Sequence, residues 1–248
     1  MISYPLISII TVVYNGAKTL EQTIHSVINQ TYNNIEYIIV DGGSDDATVD
    51  IIKKYDNQIA LWVSESDKGL YHAMNKGILM AKGEIIGMIN SDDWYEINAV
   101  ALMVDAYQKY PKKRIFHGDR YDIKNNGTKT IRKFNPSSFK FLYYGMTYNH
   151  PSMFVHRDIY NKDLYNINLT SMSDYEFVLA QYLTHKESFH YIPTAYVNYR
   201  LDGVSGQLKF TKSLAEGFMA RKNAGLSLIK NCISLTLRFI VKLIFKTI

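Results

Sequence analysis

An α/β fold built on a mixed, mainly parallel sheet flanked by helices is predicted by three features of this 248-residue sequence. Apolar runs of strand length alternate with segments of helical periodicity as far as Tyr110. Each of the first four runs stops at a cluster of polar or glycine residues. The composition, 47% hydrophobic and 21% charged, is that of a globular chain with one substantial core.

The first strand is LISIITVVY, an unbroken apolar run of the buried type. In AKTLEQTIHSVINQ, Leu20, Ile24, Val27 and Ile28 share one helical face. IEYIIVD is the second strand. In GGSDDATVDIIKKY, Ser44 is expected to cap a helix, with Asp45 and Asp46 at its positive end. IALWVSE is the third strand, DKGLYHAMNKGILMAKG carries the next helix, and EIIGMIN is the fourth strand. NAVALMVDAYQKY is a fourth helix that stops at Pro111. RIFHGDRYDIKNNGTKTIRKF reads as two strands about a turn at Asn125, Asn126 and Gly127. SDYEFVLAQYL reads as a helix and FHYIPTAYVNYR as a late strand despite its proline. No repeat or linker is visible, so residues 1–208 are expected to form one domain and 209–248 a helical tail.

Charge is uneven. Of 28 basic and 23 acidic residues, eight and one fall in 209–248, leaving 20 and 22 in the body. The basicity belongs to the tail, which argues against a nucleic-acid surface on the body. Cys232 is the single cysteine, so no intrachain disulfide is possible. The N-terminal residues lack a basic leader region, and no secretory signal is expected. No uncharged apolar run is long enough to span a bilayer.

In open α/β sheets ligands sit beyond the carboxyl ends of the strands. There the sequence puts Tyr14-Asn15-Gly16, Asp41-Gly42-Gly43, Ser64-Glu65-Ser66-Asp67 and Ser91-Asp92-Asp93. Turns need such residues anyway, so each cluster alone is equally a loop. Asp92 and Asp93 repel, and either solvent or a divalent cation could compensate them. VDGGSDD matches neither a phosphate loop nor the dinucleotide fingerprint.

Together these stretches resemble a family 2 glycosyltransferase of the Rossmann-like GT-A fold, of the bacterial surface-polysaccharide type. The matching segments are ISIITVVYN, TIHSVINQTY, IEYIIVDGGSDD, DKGLYHAMNKGILMAKGEIIGMINSDDWY, NHPSMFVHRDIY, SDYEFVLA and NYRLDGVSG, in the family's order. The resemblance implies inverting transfer of one sugar from a nucleotide-sugar, expected to be a UDP-sugar. The acceptor it implies is a polyprenyl-diphosphate-linked saccharide on the cytoplasmic face of the bacterial membrane. It implies Asp41 on the uracil ring, with Thr11, Tyr14 and Asn15 lining the pocket. It puts Asp67, Asn75 and Lys76 on the nucleotide-sugar side, with Arg200 and Ser205 closing on the diphosphate. Asp93 is the implied ligand of Mn2+ or Mg2+, and Asp92 lies toward the ribose or donor sugar. Asp174 is the implied general base, and His150 and Asp119 are candidates for the acceptor side.

Three positions depart from the family's pattern: Asn90, His72 and Ser173 stand where acids are common. The QxxRW element of processive synthases is absent. A non-reacting nucleotide-sugar-binding protein would lack Asp93 or Asp174, and a nucleotidyltransferase would want a basic glycine-rich loop in place of VVYNGAKT. In the tail, Lys230, Ser234, Arg238, Lys242 and Lys246 recur every fourth residue as a polar stripe. Residues 227–248 are therefore expected to lie on an anionic membrane with the lysines toward the headgroups. A helix packed on the domain, or a homodimer contact, is the competing reading.

Overall fold

The computed structural model describes residues 4–201 and 210–244, with side chains as far as Lys242. Among these residues nine strands form one sheet: β1 (Ile7–Val13), β2 (Ile35–Asp41), β3 (Leu61–Ser64), β4 (Ile85–Asn90), β5 (Trp94–Tyr95), β6 (Ile115–Ile123), β7 (Lys129–Arg132), β8 (Phe154–His156) and β9 (Phe189–Arg200). Their order is β3-β2-β1-β4-β8-β6-β9-β5, with β7 paired to β6. The helices are α1 (Leu20–Ile28), α2 (Thr48–Lys54), α3 (Leu70–Met80), α4 (Ala99–Lys109), α5 (Ser138–Tyr143), α6 (Arg157–Tyr160), α7 (Ser173–His185), α8 (Phe210–Asn223) and α9 (Leu228–Ile244).

The N-terminal half is parallel, as the alternation requires. Ile7 of β1 lies opposite Ile35 and Ile85, and Thr11 opposite Ile39 and Ile89. That register aligns the carboxyl ends of β1, β2 and β4, which puts their polar termini on one edge. β1 is buried along its whole length because helices cover both faces. Alternate residues serve opposite cores. Ile10 and Val12 join Tyr71, Met74 and Ile78 of α3, while Ile9 and Val13 join Leu20 and Ile24 of α1.

The second half is mixed. β8 inserts antiparallel between β4 and β6, and β9 returns parallel to β6. The hairpin turn falls where expected, with Gly127 at φ 79. Pro193 is tolerated because the ladder slips beside it: Gly118 faces Ile192, then Asp119 faces Ala195. The skipped residues Pro193 and Thr194 form a bulge, which needs no ladder N–H from the proline.

Two expectations are corrected here. α2 begins at Thr48, not near Ser44, and Asp46 Oδ1 accepts the Thr48 N–H at 2.9 Å. Ser44 instead donates to Asp41 and accepts the Asn15 amide. The polar stripe of the last helix does not face outward as a unit: Ser234 is fully buried and Arg238 partly so, while Lys230 and Lys242 are exposed. Lys246 lies outside the described residues. α8 is tied to the body through Glu216, which accepts from the Ser171 amide at 2.9 Å and from Thr170. α9 is tied through Asn231, which donates to Phe218 O at 2.8 Å, and Ser234, which donates to Tyr143 O.

Close packing across the sheet gives a stability test. Gly87 of β4 lies opposite Phe154 of β8, and a Cβ there would meet the Phe154 ring at 2.6 Å. Phe154 is fully buried and cannot yield. Gly87→Ala is expected to destabilise the fold by about 1–3 kcal/mol, read from urea unfolding. An unchanged midpoint would mean that the β4–β8 contact is looser than described.

Candidate functional site

The loops after β1 and β2 are stitched into one wall. Asn15 takes the left-handed φ of 51 that its residue type tolerates. Its Oδ1 accepts the Asp45 amide at 3.0 Å, while Gly16 N donates to Thr48 Oγ1 at 2.9 Å and Ala17 N to Asp46 Oδ2 at 3.1 Å. Asp41 organises the β2 end from inside. It is 0% exposed and accepts from Gly43 N, Ser44 N, Ser44 Oγ and Ser64 Oγ. Four donors engage its two oxygens, so Asp41 shapes the loop that follows β2.

The group left at that wall is Asp67. A Cβ on Gly42 would lie 2.6 Å from Asp67 Oδ2 and 3.5 Å from the Tyr14 ring, so the glycine lets the Asp67 carboxylate press against the end of β2 beside Tyr14. Tyr14 is 65% exposed, unusual for an aromatic ring beside a buried strand. Asp67 Oδ1 accepts Gly69 N at 2.7 Å. Thr11 is fully buried and pairs with Tyr37 OH at 3.0 Å, so its side chain is engaged within the sheet.

At the end of β4 the two carboxylates part company. Asp92 is half-buried, whereas Asp93 is 1% exposed and its Oδ1 accepts the Arg200 amide at 3.0 Å. Burial first, and the neighbouring Asp92 second, push the Asp93 carboxyl well above the usual carboxylate range. Arg200 closes over the pair: its Nε donates to Asp92 O at 2.8 Å, its Nη2 to Gln22 Oε1, and its guanidinium lies 4.8 Å from the Trp94 ring. The pairing of Trp94 with Asn198 brings Arg200 here, a contact between residues 107 apart for the Asp93 bond. Among the described residues no three His, Cys, Asp or Glu side chains gather as a ready-made cation site. Adjacent hard oxygens at a crevice edge nevertheless fit Mg2+ or Mn2+ when a ligand's phosphates complete the shell.

Asp174 sits in the first turn of α7. Its Oδ1 accepts Tyr71 OH at 3.0 Å and its neighbour's amide, Tyr175 N, at 2.8 Å. Tyr71 starts α3 just after Asp67, so this bond carries α7 to the edge where the loops converge. Burial raises the Tyr71 phenol, which keeps its proton and donates. His150 lies in the same cluster, with Nε2 2.9 Å from Tyr165 OH. Burial lowers its pKa while Asp174 pulls the other way, leaving a neutral imidazole at pH 7. Asn75 is engaged with the Tyr165 backbone, donating to O at 2.7 Å and accepting from N at 2.9 Å. Lys76 pairs with Glu65 at 2.7 Å on the third loop.

Asp119 is 4% exposed, and its Oδ1 accepts Phe134 N and Tyr191 OH, each at 2.8 Å, which makes it a brace of the β6–β9 ladder. Ser205 lies outside the described residues. Sequence reasoning missed Tyr71, Tyr165, Gln22 and Trp94. Their contacts are long-range, and no local spacing announces them.

Residues 8–165 match the description of glycosyl transferase family 2. Chondroitin synthase from Escherichia coli is 27% identical over 209 residues, covering 83% of this chain and 30% of that protein. S. aureus TarS 1–349, solved in complex with UDP-GlcNAc, superposes with a TM-score of 0.72 at 17% identity, over 96% of this chain and 73% of that one. Mannosyltransferase PcManGT from Pyrobaculum calidifontis, solved with GDP-Man and Mn2+, gives 0.61 at 14% identity, over 98% and 76%. At these identities the two structures establish the shared fold. The alignments to curated relatives cover 20% to 41% of those proteins' own lengths.

The raised Asp93 carboxyl has a thermodynamic signature. A folded-state pKa above the unfolded value of about 4 costs stability as pH rises through the interval between them. Asp93→Asn mimics the protonated group and keeps an oxygen for the Arg200 amide. In EDTA the wild type is expected to lose stability relative to Asp93→Asn as pH climbs from about 4 toward 8. Parallel melting curves for the two proteins would show no such divergence if Asp93 were ionised at ordinary cost.

Proposed function

The chain belongs to glycosyl transferase family 2 and is a glycosyltransferase; from that premise we propose an inverting transfer of one sugar from a UDP-sugar to a lipid-linked saccharide. The acceptor is a hydroxyl of a polyprenyl-diphosphate-linked saccharide in surface-polysaccharide synthesis, met on the inner face of the bacterial cytoplasmic membrane. The observation that carries the reading is the Tyr71–Asp174 hydrogen bond of 3.0 Å, which joins the base to the loop that bears Asp67.

Each residue then has a task. The exposed Tyr14 ring and the neighbouring Asp67 take the nucleobase, with Asp41 shaping the loop behind them. Lys76 and Arg200 face the donor's diphosphate and sugar. Asp92 and Asp93 would hold Mn2+ or Mg2+, which when bound would supply Lewis-acid neutralisation of charge on the departing diphosphate. Asp92, the less buried of the two, would be the first contact in place of Asp93, the residue that the resemblance implied. Asp174 accepts the proton of the acceptor hydroxyl as its oxygen bonds to C1 of the sugar. The C1–O bond to the diphosphate breaks on the opposite face, so the anomeric configuration inverts. Tyr71 holds Oδ1 so that Oδ2 remains for the acceptor, and His150 stands beside it as a neutral neighbour.

The test is release of nucleotide from a panel of nucleotide-sugars by the full chain, with and without Mn2+ or Mg2+. Asp174→Asn is expected to bind donor normally but to turn over about 100-fold more slowly or worse. Near-normal kcat in that variant would overturn its role. Asp92→Asn is expected to abolish activity at any metal concentration, and full wild-type activity in EDTA would remove the cation from the scheme. Tyr71→Phe is expected to lower kcat about 10- to 100-fold with donor KM unchanged, the range for losing a hydrogen bond to a charged group. A change in donor KM alone would make Tyr71 a donor contact instead.

A further inference from the structure

A surface helix ordinarily buries its apolar stripe and leaves its polar residues to solvent. α9 does the reverse. Asn231 and Ser234 are 1% and 0% exposed, hydrogen-bonded to Phe218 O and Tyr143 O, while Leu228, Ile229 and Phe239 are 67%, 76% and 54% exposed. At about 100° per residue, Leu228, Ile229, Cys232, Ile233, Phe239 and Ile240 fall within one arc of about 140°. A shallow hollow runs along this face between Leu228 and Leu237. The arrangement is fixed by the body, because the Arg221–Asn231 bond of 2.9 Å and the Ser234 bond to α5 leave the helix no freedom to roll over.

The charges around the face are of one sign. Lys230 and Lys242 flank the arc on opposite sides, and Lys222 is exposed on α8. Glu216 is the sole acid between residues 210 and 244, and it is turned inward to Thr170 and Ser171 while pairing with Lys212 at 3.9 Å. α5, which packs on α9, adds exposed Phe139 and Lys140. A two-fold contact through this face would set one basic patch against a second copy of itself. An anionic lipid surface meets both demands, an apolar layer for the arc and negative headgroups for its flanks. Among the described residues no helix is long and apolar enough to cross a membrane, which leaves the plane of the interface.

We infer that the outward face of α9 docks the protein on an anionic bilayer, with the helix's polar side committed to the protein body. This goes beyond the transfer reaction, since it names the face and the orientation and holds whatever sugar is moved. α9 packs on α5 and α8, and α8 on α7, so a bilayer under α9 also fixes the pose of the Asp174 helix above it.

Cys232, the only cysteine in the chain, is exposed on this face and serves as a native reporter. The full chain labelled there with a polarity-sensitive dye is mixed with phosphatidylglycerol–phosphatidylcholine vesicles, and unlabelled protein is co-sedimented in parallel. Expected are a blue shift and co-sedimentation that fade with salt and are absent with phosphatidylcholine alone. Ile229→Glu is expected to abolish binding, and Lys230→Gln to weaken it about fivefold, as for one surface cation. Both positions are exposed, so melting curves should show an intact fold and soluble donor hydrolysis should persist. A dye shift that follows protein concentration, with a dimer in sedimentation equilibrium, would overturn the proposal in favour of a second copy. No response to vesicles or concentration would overturn it outright. In either case the donor assay still reads the transfer chemistry separately.

Discussion

The site depends on how the fold neutralises a carboxyl group buried beside another carboxylate. Asp93 is desolvated and next to Asp92, an arrangement that water cannot relieve. The Arg200 amide supplies part of the answer at 3.0 Å. That single bond ties the end of β4 to the end of β9, two strands separated in the sheet by β8 and β6. β5 makes it possible, because Trp94 and Tyr95 pair with Asn198 and Val197 and so deliver Arg200 two residues later. The Asn90 side chain and the Arg120 charge add to the amide's contribution, yet the carboxyl still stands above the usual carboxylate range.

The same logic separates carboxylates that look alike in sequence. Asp41 is saturated by four donors and becomes part of the wall. Asp119 has two donors on Oδ1 and is 4% exposed, and it becomes part of a ladder. Asp174 has donors on Oδ1 only among its hydrogen bonds, and its helix presents it at the crevice. Chemistry is left to the carboxylates that the fold keeps partly exposed, Asp92 and Asp174. Burial, not residue type, sorts the acids into scaffold and site.

The parallel half of the fold was legible because each signal there is local. An apolar run with a polar stop defines β1, β2 and β4, and helical spacing defines α1 and α4. The second half was less so: β5 and β8 are two and three residues long and exist through their partners. Ser44 misled because N-capping and loop bracing call for the same hydroxyl, and Asp41, out of reach of a local rule, claims it. The site was legible as a set of loops at the carboxyl ends of the strands. Tyr71 was invisible, since its bond to Asp174 joins residues 103 apart.

The last helix shows what periodicity encodes and what it omits. The four-residue recurrence of Lys230, Ser234, Arg238 and Lys242 fixes an angular separation between polar and apolar residues. It carries no sign: nothing in the spacing says which side turns inward. The sign comes from partners far away. Tyr143 O and Phe218 O need donors, and Ser234 and Asn231 provide them. Arg221, fully buried, needs an acceptor for its Nε, and Asn231 provides that too. Unmade hydrogen bonds in the interior cost more than exposing apolar area of similar size. The polar side therefore goes in, and the apolar side is left outward for a medium other than water.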